Sequence, residues 1–182
     1  MKPRSYWSNW SDYDVKKMKP LDRKLLFELM KNAKRSDRQL AKLLGVSQPT
    51  VSRRRALVER ELIDGYTTVP KWEKLGYEIL AITLVKSKST LASKEQYVAV
   101  RKRGLEWLMK QPNIIMSGGC RGMGVNAFML SVHKSYSDYD EFMYRYRLEL
   151  ADTVDDLQTV LVNLAGRELL KPLHLKYLAE TE

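Results

Sequence analysis

The chain has 182 residues, is 44% hydrophobic, and carries a net charge of +10 and a single cysteine. That apolar content supports packed cores and excludes a disordered chain; one cysteine excludes an internal disulfide and a cysteine-based zinc site. The most apolar run, Ile79 to Val85, is far shorter than the ~20 residues that cross a bilayer, and the first twenty residues have no apolar signal core, so a cytoplasmic protein without a membrane partner is expected.

The charge is unevenly spread. Residues 1–70 hold 16 Lys/Arg against 8 Asp/Glu, while residues 71–182 hold 16 against 14. A polyanion partner is therefore expected for the first part of the chain. Residues 1–20 form a basic, aromatic arm with Tyr6, Trp7, Trp10 and Tyr13, ended by Pro20. From Leu21 a helical period begins, with Leu25, Leu26, Leu29 and Met30 on one face, Asp22 in the first turn and an end near Lys34. Ser36 followed by Gln39 is a capping-box pattern that opens a short helix through Leu44, with Leu40, Leu43 and Leu44 as its apolar face. Gly45 takes the usual place of a helix-ending glycine. Ser47 then caps a third helix that runs to about Leu62, with Pro49 in its first turn and Val51, Leu57, Val58 and Leu62 turned inward. Ile63 to Val69 combines β-branched and aromatic residues with Asp64-Gly65, which predicts a small hairpin or wing. Residues 70–76 read as a linker.

The second half changes character. Strands are predicted over Tyr77–Val85, Ile114–Ser117, Ala127–Val132 and Thr159–Leu164, with a glycine-rich turn at Gly118–Gly124. Helices are predicted over Lys94–Lys110, burying Tyr97, Val98, Leu105, Leu108 and Met109, and over Tyr136–Ala151, burying Tyr139, Phe142, Met143, Tyr146 and Leu150. Leu173–Tyr177 reads as a short last strand. The order β-α-β-β-α-β is the ferredoxin-like pattern. The expected fold is thus α+β, with an N-terminal winged helix-turn-helix over 21–69 and a C-terminal ferredoxin-like domain over 77–182.

Two helices joined by Leu44-Gly45-Val46-Ser47 have helix-turn-helix spacing. The second helix of such a unit enters the major groove of double-stranded DNA by its N-terminal end. Its first turns carry the candidate DNA-binding residues Ser47, Gln48, Thr50, Ser52, Arg53, Arg54 and Arg55. Gln pairs with adenine, Arg with guanine or phosphate, and hydroxyls with either. Three consecutive arginines cannot share one helix face, so one or two are expected on phosphates and the remainder beside base edges. The bland alternative is a solvated basic helix.

The stretch 21–77 resembles the DNA-binding half of the Lrp/AsnC (leucine-responsive, feast/famine) family. The resemblance rests on Leu21-Asp22, Leu40-Ala41, Gly45-Val46-Ser47, Thr50-Val51-Ser52-Arg53-Arg54 and Ile63-Asp64-Gly65-Tyr66. It implies a transcription regulator acting as a homodimer or higher oligomer, and an amino-acid effector bound near a Gly-x-Gly-x-Asp turn. The matching positions are Gly122, Gly124 and Asn126, where Asn replaces the charged residue. The turn also has a purely structural reading, since a glycine-rich segment is needed to reverse the chain.

Other chemistries find little support. His133 and His174 stand far apart without paired carboxylates, so no metal site is expected. Asp152, Asp155 and Asp156 read as solvating a helix-to-strand connection. No nucleophile elbow surrounds Ser117 and no phosphate loop is present, so neither catalytic residues nor a cofactor are expected. The rivals are an architectural DNA-coating protein and, from another class, an enzyme or haem-binding protein on the same architecture.

Overall fold

The computed structural model describes residues 18–88, 93–166 and 170–180. The aromatic arm expected over residues 1–20 falls outside them for residues 1–17. The chain divides into a helical unit, to 69 together with the segment from Leu173, and a sheet unit over Pro70–Pro172.

The helical unit contains α1 (Pro20–Lys31), α2 (Asp37–Leu44) and α3 (Gln48–Leu62). Pro20 does not end a preceding segment; it is the first residue of α1, where its missing N–H costs nothing. α1 stops at Lys31, before the expected Lys34, because Asn32 turns extended and its side-chain carbonyl accepts from Lys34 N at 3.0 Å. The capping box of α2 forms in full: Ser36 Oγ accepts from Gln39 N at 3.3 Å, and Ser36 N donates to Gln39 Oε1 at 2.8 Å. Gly45 ends α2 in the left-handed region at φ 67°, a conformation that favours glycine. Leu25, Leu29, Leu40, Ala41, Val51 and Val58 form the core. Leu43, expected inside α2, is exposed; Ala41 takes its place because the buried stripe runs through Leu40–Ala41 and Leu44.

Two expectations here fail. Residues 63–71 have no strand, so no hairpin wing forms. A turn at Asp64-Gly65 would leave Ile63 alone between it and α3, which ends at Leu62, too little chain for a paired arm. The expected last strand at Leu173–Tyr177 is instead a 3₁₀ turn over Leu175–Ala179. It starts where His174 Nδ1 accepts from Lys176 N at 3.0 Å, packs on α1 and buries Ala179.

The sheet unit contains β1 (Ile79–Ser87), α4 (Lys94–Met109), β2 (Ile114–Gly122), β3 (Val125–His133), α5 (Tyr136–Leu150) and β4 (Val154–Asn163). The sheet order is β2-β3-β1-β4 with antiparallel neighbours, which is the ferredoxin-like arrangement. Val85 and Met129 face α4 and α5 in a core with Trp107, Phe142, Met143, Tyr146 and Leu150. Trp107 was not among the expected buried residues of α4, and Tyr97, Val98, Leu105 and Met109 are exposed. The inward stripe runs instead through Val100, Gly104, Trp107 and Leu108, and the indole packs 5.0 Å from Tyr146 and 5.6 Å from Phe142.

β4 begins at Val154, earlier than the expected Thr159. Asp155 and Asp156 hid its start. They are strand residues on a sheet edge, where charge is tolerated, and Asp155 pairs with Lys86 on β1 at 2.7 Å. Likewise β2 extends to Gly122 through the segment read as a glycine-rich turn, and the actual reversal is Met123-Gly124.

Candidate nucleic-acid interface

α2, Gly45 and α3 form the helix-turn-helix expected from the sequence. Ser47 caps α3: its Oγ accepts from Thr50 N at 3.4 Å and lies 2.8 Å from Thr50 Oγ1. Two of the seven candidate residues are thus engaged with each other at the helix entrance.

The arginines separate as helical geometry requires, about 100° apart. Arg53 is exposed and has no hydrogen bond or ion pair among the described residues. Arg54 turns back to α1 and makes a two-pronged pair with Asp22, which is 2% exposed. Arg55 turns towards α2, donating to Asp37 Oδ1 and the Arg35 carbonyl at 3.0 Å each and to Glu59 Oε1 at 2.8 Å. Arg54 and Arg55 therefore hold α3 in place, whereas the sequence alone predicts all three arginines against DNA.

Ser52 is also engaged. Its Oγ lies 2.6 Å from Asp37 Oδ2 and 3.2 Å from the Gln48 carbonyl. The Ser52 hydroxyl, and after it Arg55, holds the Asp37 carboxyl below its ordinary range. The Arg55 guanidinium acts in the same way on Glu59, which also accepts from Tyr66 Oη at 2.8 Å. Asp37, Arg55, Glu59 and Tyr66 thus tie α2, α3 and the segment after α3 together.

What remains outward on α3 is the row Gln48, Pro49, Ser52, Arg53, Ala56 and Arg60. Ala56 and Arg60 were not among the expected residues, although the helical period counted from Gln48 and Ser52 leads to them. Beside the row lies a groove of ≈ 500 Å³ lined by Thr50, Arg53, Arg54, Ala56, Leu57 and Arg60. A polar and basic helix face of this kind, on the second helix of the motif, can meet base edges and phosphates.

At the other candidate site, Gly122 and Gly124 flank Met123 in the β2–β3 hairpin. Met123 and Gly124 have φ of 52° and 73°, the two positive values of a type I′ turn. Asn126 Oδ1 accepts from both Ser87 N and Ser87 Oγ at 3.0 Å, which ties the hairpin to the end of β1. Among the described residues, no three His, Cys, Asp or Glu side chains gather to hold a metal ion, and no helix is long and apolar enough to cross a membrane.

Residues 18–57 match the AsnC-type helix-turn-helix domain. The regulator LrpA of Pyrococcus abyssi is 38% identical over 68 residues, which are 37% of this chain and 48% of that one, so the chain spans about half of that relative. The regulator FL11 of Pyrococcus furiosus is 27% identical over 149 residues, covering 81% of this chain and 82% of its own. Among solved structures, the L-Met complex of a transcriptional regulator from Neisseria meningitidis superposes with a TM-score of 0.72 at 18% identity, over 88% of this chain and 99% of that one.

Proposed function

We propose that this chain, whose first domain is an AsnC-type helix-turn-helix and whose architecture is that of the Lrp/AsnC regulators, binds double-stranded DNA in the cytoplasm and regulates transcription. The observation that carries the reading is the outward row of α3. Gln48, Ser52 and Arg53 face solvent at the front of the helix, while Arg54 and Arg55 lock the helix against α1 and α2. Gln48 and Arg53 offer the side chains that pair with adenine and guanine edges. Arg60 lies two turns further along, in reach of a phosphate of the same groove wall.

A sequence-specific reader of this size gains from pairing, because two copies on two half-sites multiply affinity and specificity. We propose that the copies meet through the sheet face turned away from α4 and α5. Leu80, Ile82, Leu84, Leu130, Val160 and Val162 share that face by their register, and Val160 is 61% exposed.

An amino-acid effector at the 122–126 hairpin is a second element of the reading, favoured by the L-Met complex of the Neisseria meningitidis regulator. An amino acid that raises the melting temperature of the chain, but not of Asn126→Ala, supports it. A full panel without a shift assigns the hairpin to chain reversal alone.

The test of the main reading is selection from a pool of random-sequence duplexes with the full chain. Enrichment of one discrete, two-fold symmetric site supports a regulator. Uniform binding to all duplexes supports the architectural rival.

A further inference from the structure

We infer that Ser52 is a polarity filter: it accepts hydrogen bonds from bases and does not donate to them, because Asp37 and the Gln48 carbonyl hold its proton. The inference rests on the reading that α3 enters the major groove. A serine hydroxyl has one proton and two lone pairs. Within hydrogen-bond distance of Ser52 Oγ are Asp37 Oδ2 at 2.6 Å and the Gln48 carbonyl oxygen at 3.2 Å. A carboxylate and a carbonyl can only accept, so the single proton points into the protein whichever of the two it chooses. What the exposed Ser52 shows to its surroundings is lone pairs.

The carboxylate is kept in its accepting form. Arg55 donates to its other oxygen, Oδ1, at 3.0 Å, and Arg55 is itself fixed by Glu59 at 2.8 Å and by the Arg35 carbonyl at 3.0 Å. Ser47 and Thr50 differ from Ser52 in this respect. Their hydroxyls face each other at 2.8 Å, and either can donate, so neither has a fixed polarity.

In the major groove the donors are the amino groups of adenine N6 and cytosine N4, whereas guanine O6 and thymine O4 are acceptors. An accept-only hydroxyl favours an amino base at the position it meets and opposes a keto base there with unpaired lone pairs. Asp37 lies on α2 and acts through Ser52, as a positioning residue for the reader helix.

The experiment is selection from random-sequence duplexes followed by titration, with the full chain and with Ser52→Ala, Asp37→Asn, Gln48→Ala and Arg53→Ala. The wild type is expected to prefer adenine or cytosine about fivefold on one strand at one position, the worth of a single net hydrogen bond. A duplex whose base at that position lacks the amino group should bind the wild type about fivefold more weakly and Ser52→Ala no differently. Asp37→Asn supplies an amide that can donate to Ser52 Oγ, which occupies one lone pair and leaves the Gln48 carbonyl as the acceptor for the hydroxyl proton, so its preference for an amino base at that position should shrink well below that of the wild type. A purely structural strap would shift the melting temperature without moving a preference at one position. If Ser52→Ala keeps the wild-type profile while Gln48→Ala or Arg53→Ala changes it, the filter is wrong and the reader helix stands. If none of the variants alters the profile, the placement of α3 in the groove fails as well. Should Asp37→Asn fail to fold, Ser52→Ala and the amino-deleted duplex decide the matter alone.

Discussion

Arg53, Arg54 and Arg55 are chemically equal and do three different things, because each step along a helix turns a side chain by about 100°. Arg54 neutralises a carboxylate that is otherwise buried. Removing one member of such a pair strands its partner's charge, so Arg54→Ala should lower the unfolding free energy by about 3 kcal/mol, measured by urea titration of the full chain. Arg53→Ala should leave that stability within about 0.5 kcal/mol of the wild type, since it is a surface substitution. Three adjacent arginines already imply divergent directions in the sequence. Their partners do not show there, because Asp22 lies 32 residues from Arg54 and Asp37 lies 18 from Arg55, and such pairings depend on how helices pack. His133 was equally opaque. It is fully buried between Tyr139 and Phe142, with Nε2 2.8 Å from Ser131 Oγ and Nδ1 3.9 Å from Asp138 Oδ2, without a hydrogen-bond partner among the described residues. Burial lowers its pKa from the ordinary histidine range, against the opposing pull of Asp138. A histidine whose folded pKa is depressed adds stability that is whole above the unfolded pKa, and that stability is lost as pH falls from there through the folded pKa. Melting temperatures between pH 7.5 and 5 should therefore fall for the wild type and fall less for His133→Asn.

Elements were legible where local chemistry decides them. The Ser36–Gln39 box, the left-handed Gly45 and the Ser47 cap all involve residues within a few positions of one another, and α2 and α3 begin and end where these signals place them. Ser36→Ala should accordingly cost about 1 kcal/mol, read from denaturant titration. Elements set by neighbouring strands were harder to see. The start of β4 is masked by Asp155 and Asp156, which need the partner strand's Lys86 to make sense of them. The glycines that extend β2 look like turn residues until β3 pairs with them. The reversal at Met123-Gly124 places a methionine at φ 52°, where Asn is much better suited. Met123→Asn should therefore stabilise the hairpin by about 0.5–1 kcal/mol, while Gly124→Ala should destabilise it by more. Thermal unfolding of the two variants distinguishes the signs.

At the scale of the whole molecule, charge and apolar surface lie in different places. Most of the excess positive charge, +8 of +10, lies in residues 1–70, and the apolar sheet face turned away from α4 and α5 lies on β1, β3 and β4. That division suits a chain that meets DNA with one unit and its own copy with the other. Val160→Asp should shift sedimentation at micromolar concentration from dimer to monomer, because it sets a charge in the middle of the proposed contact. The most direct test of the central claim, that the outward row of α3 enters the DNA groove, is binding titration at several salt concentrations on selected and scrambled duplexes. Gln48→Ala should weaken the selected site by roughly 1–3 kcal/mol and leave scrambled DNA unaffected. Arg53→Ala should do the same, or weaken both duplexes alike and reduce the salt slope by about one unit. If Gln48→Ala, Ser52→Ala and Arg53→Ala all bind both duplexes as the wild type does, α3 does not read DNA and the claim is contradicted.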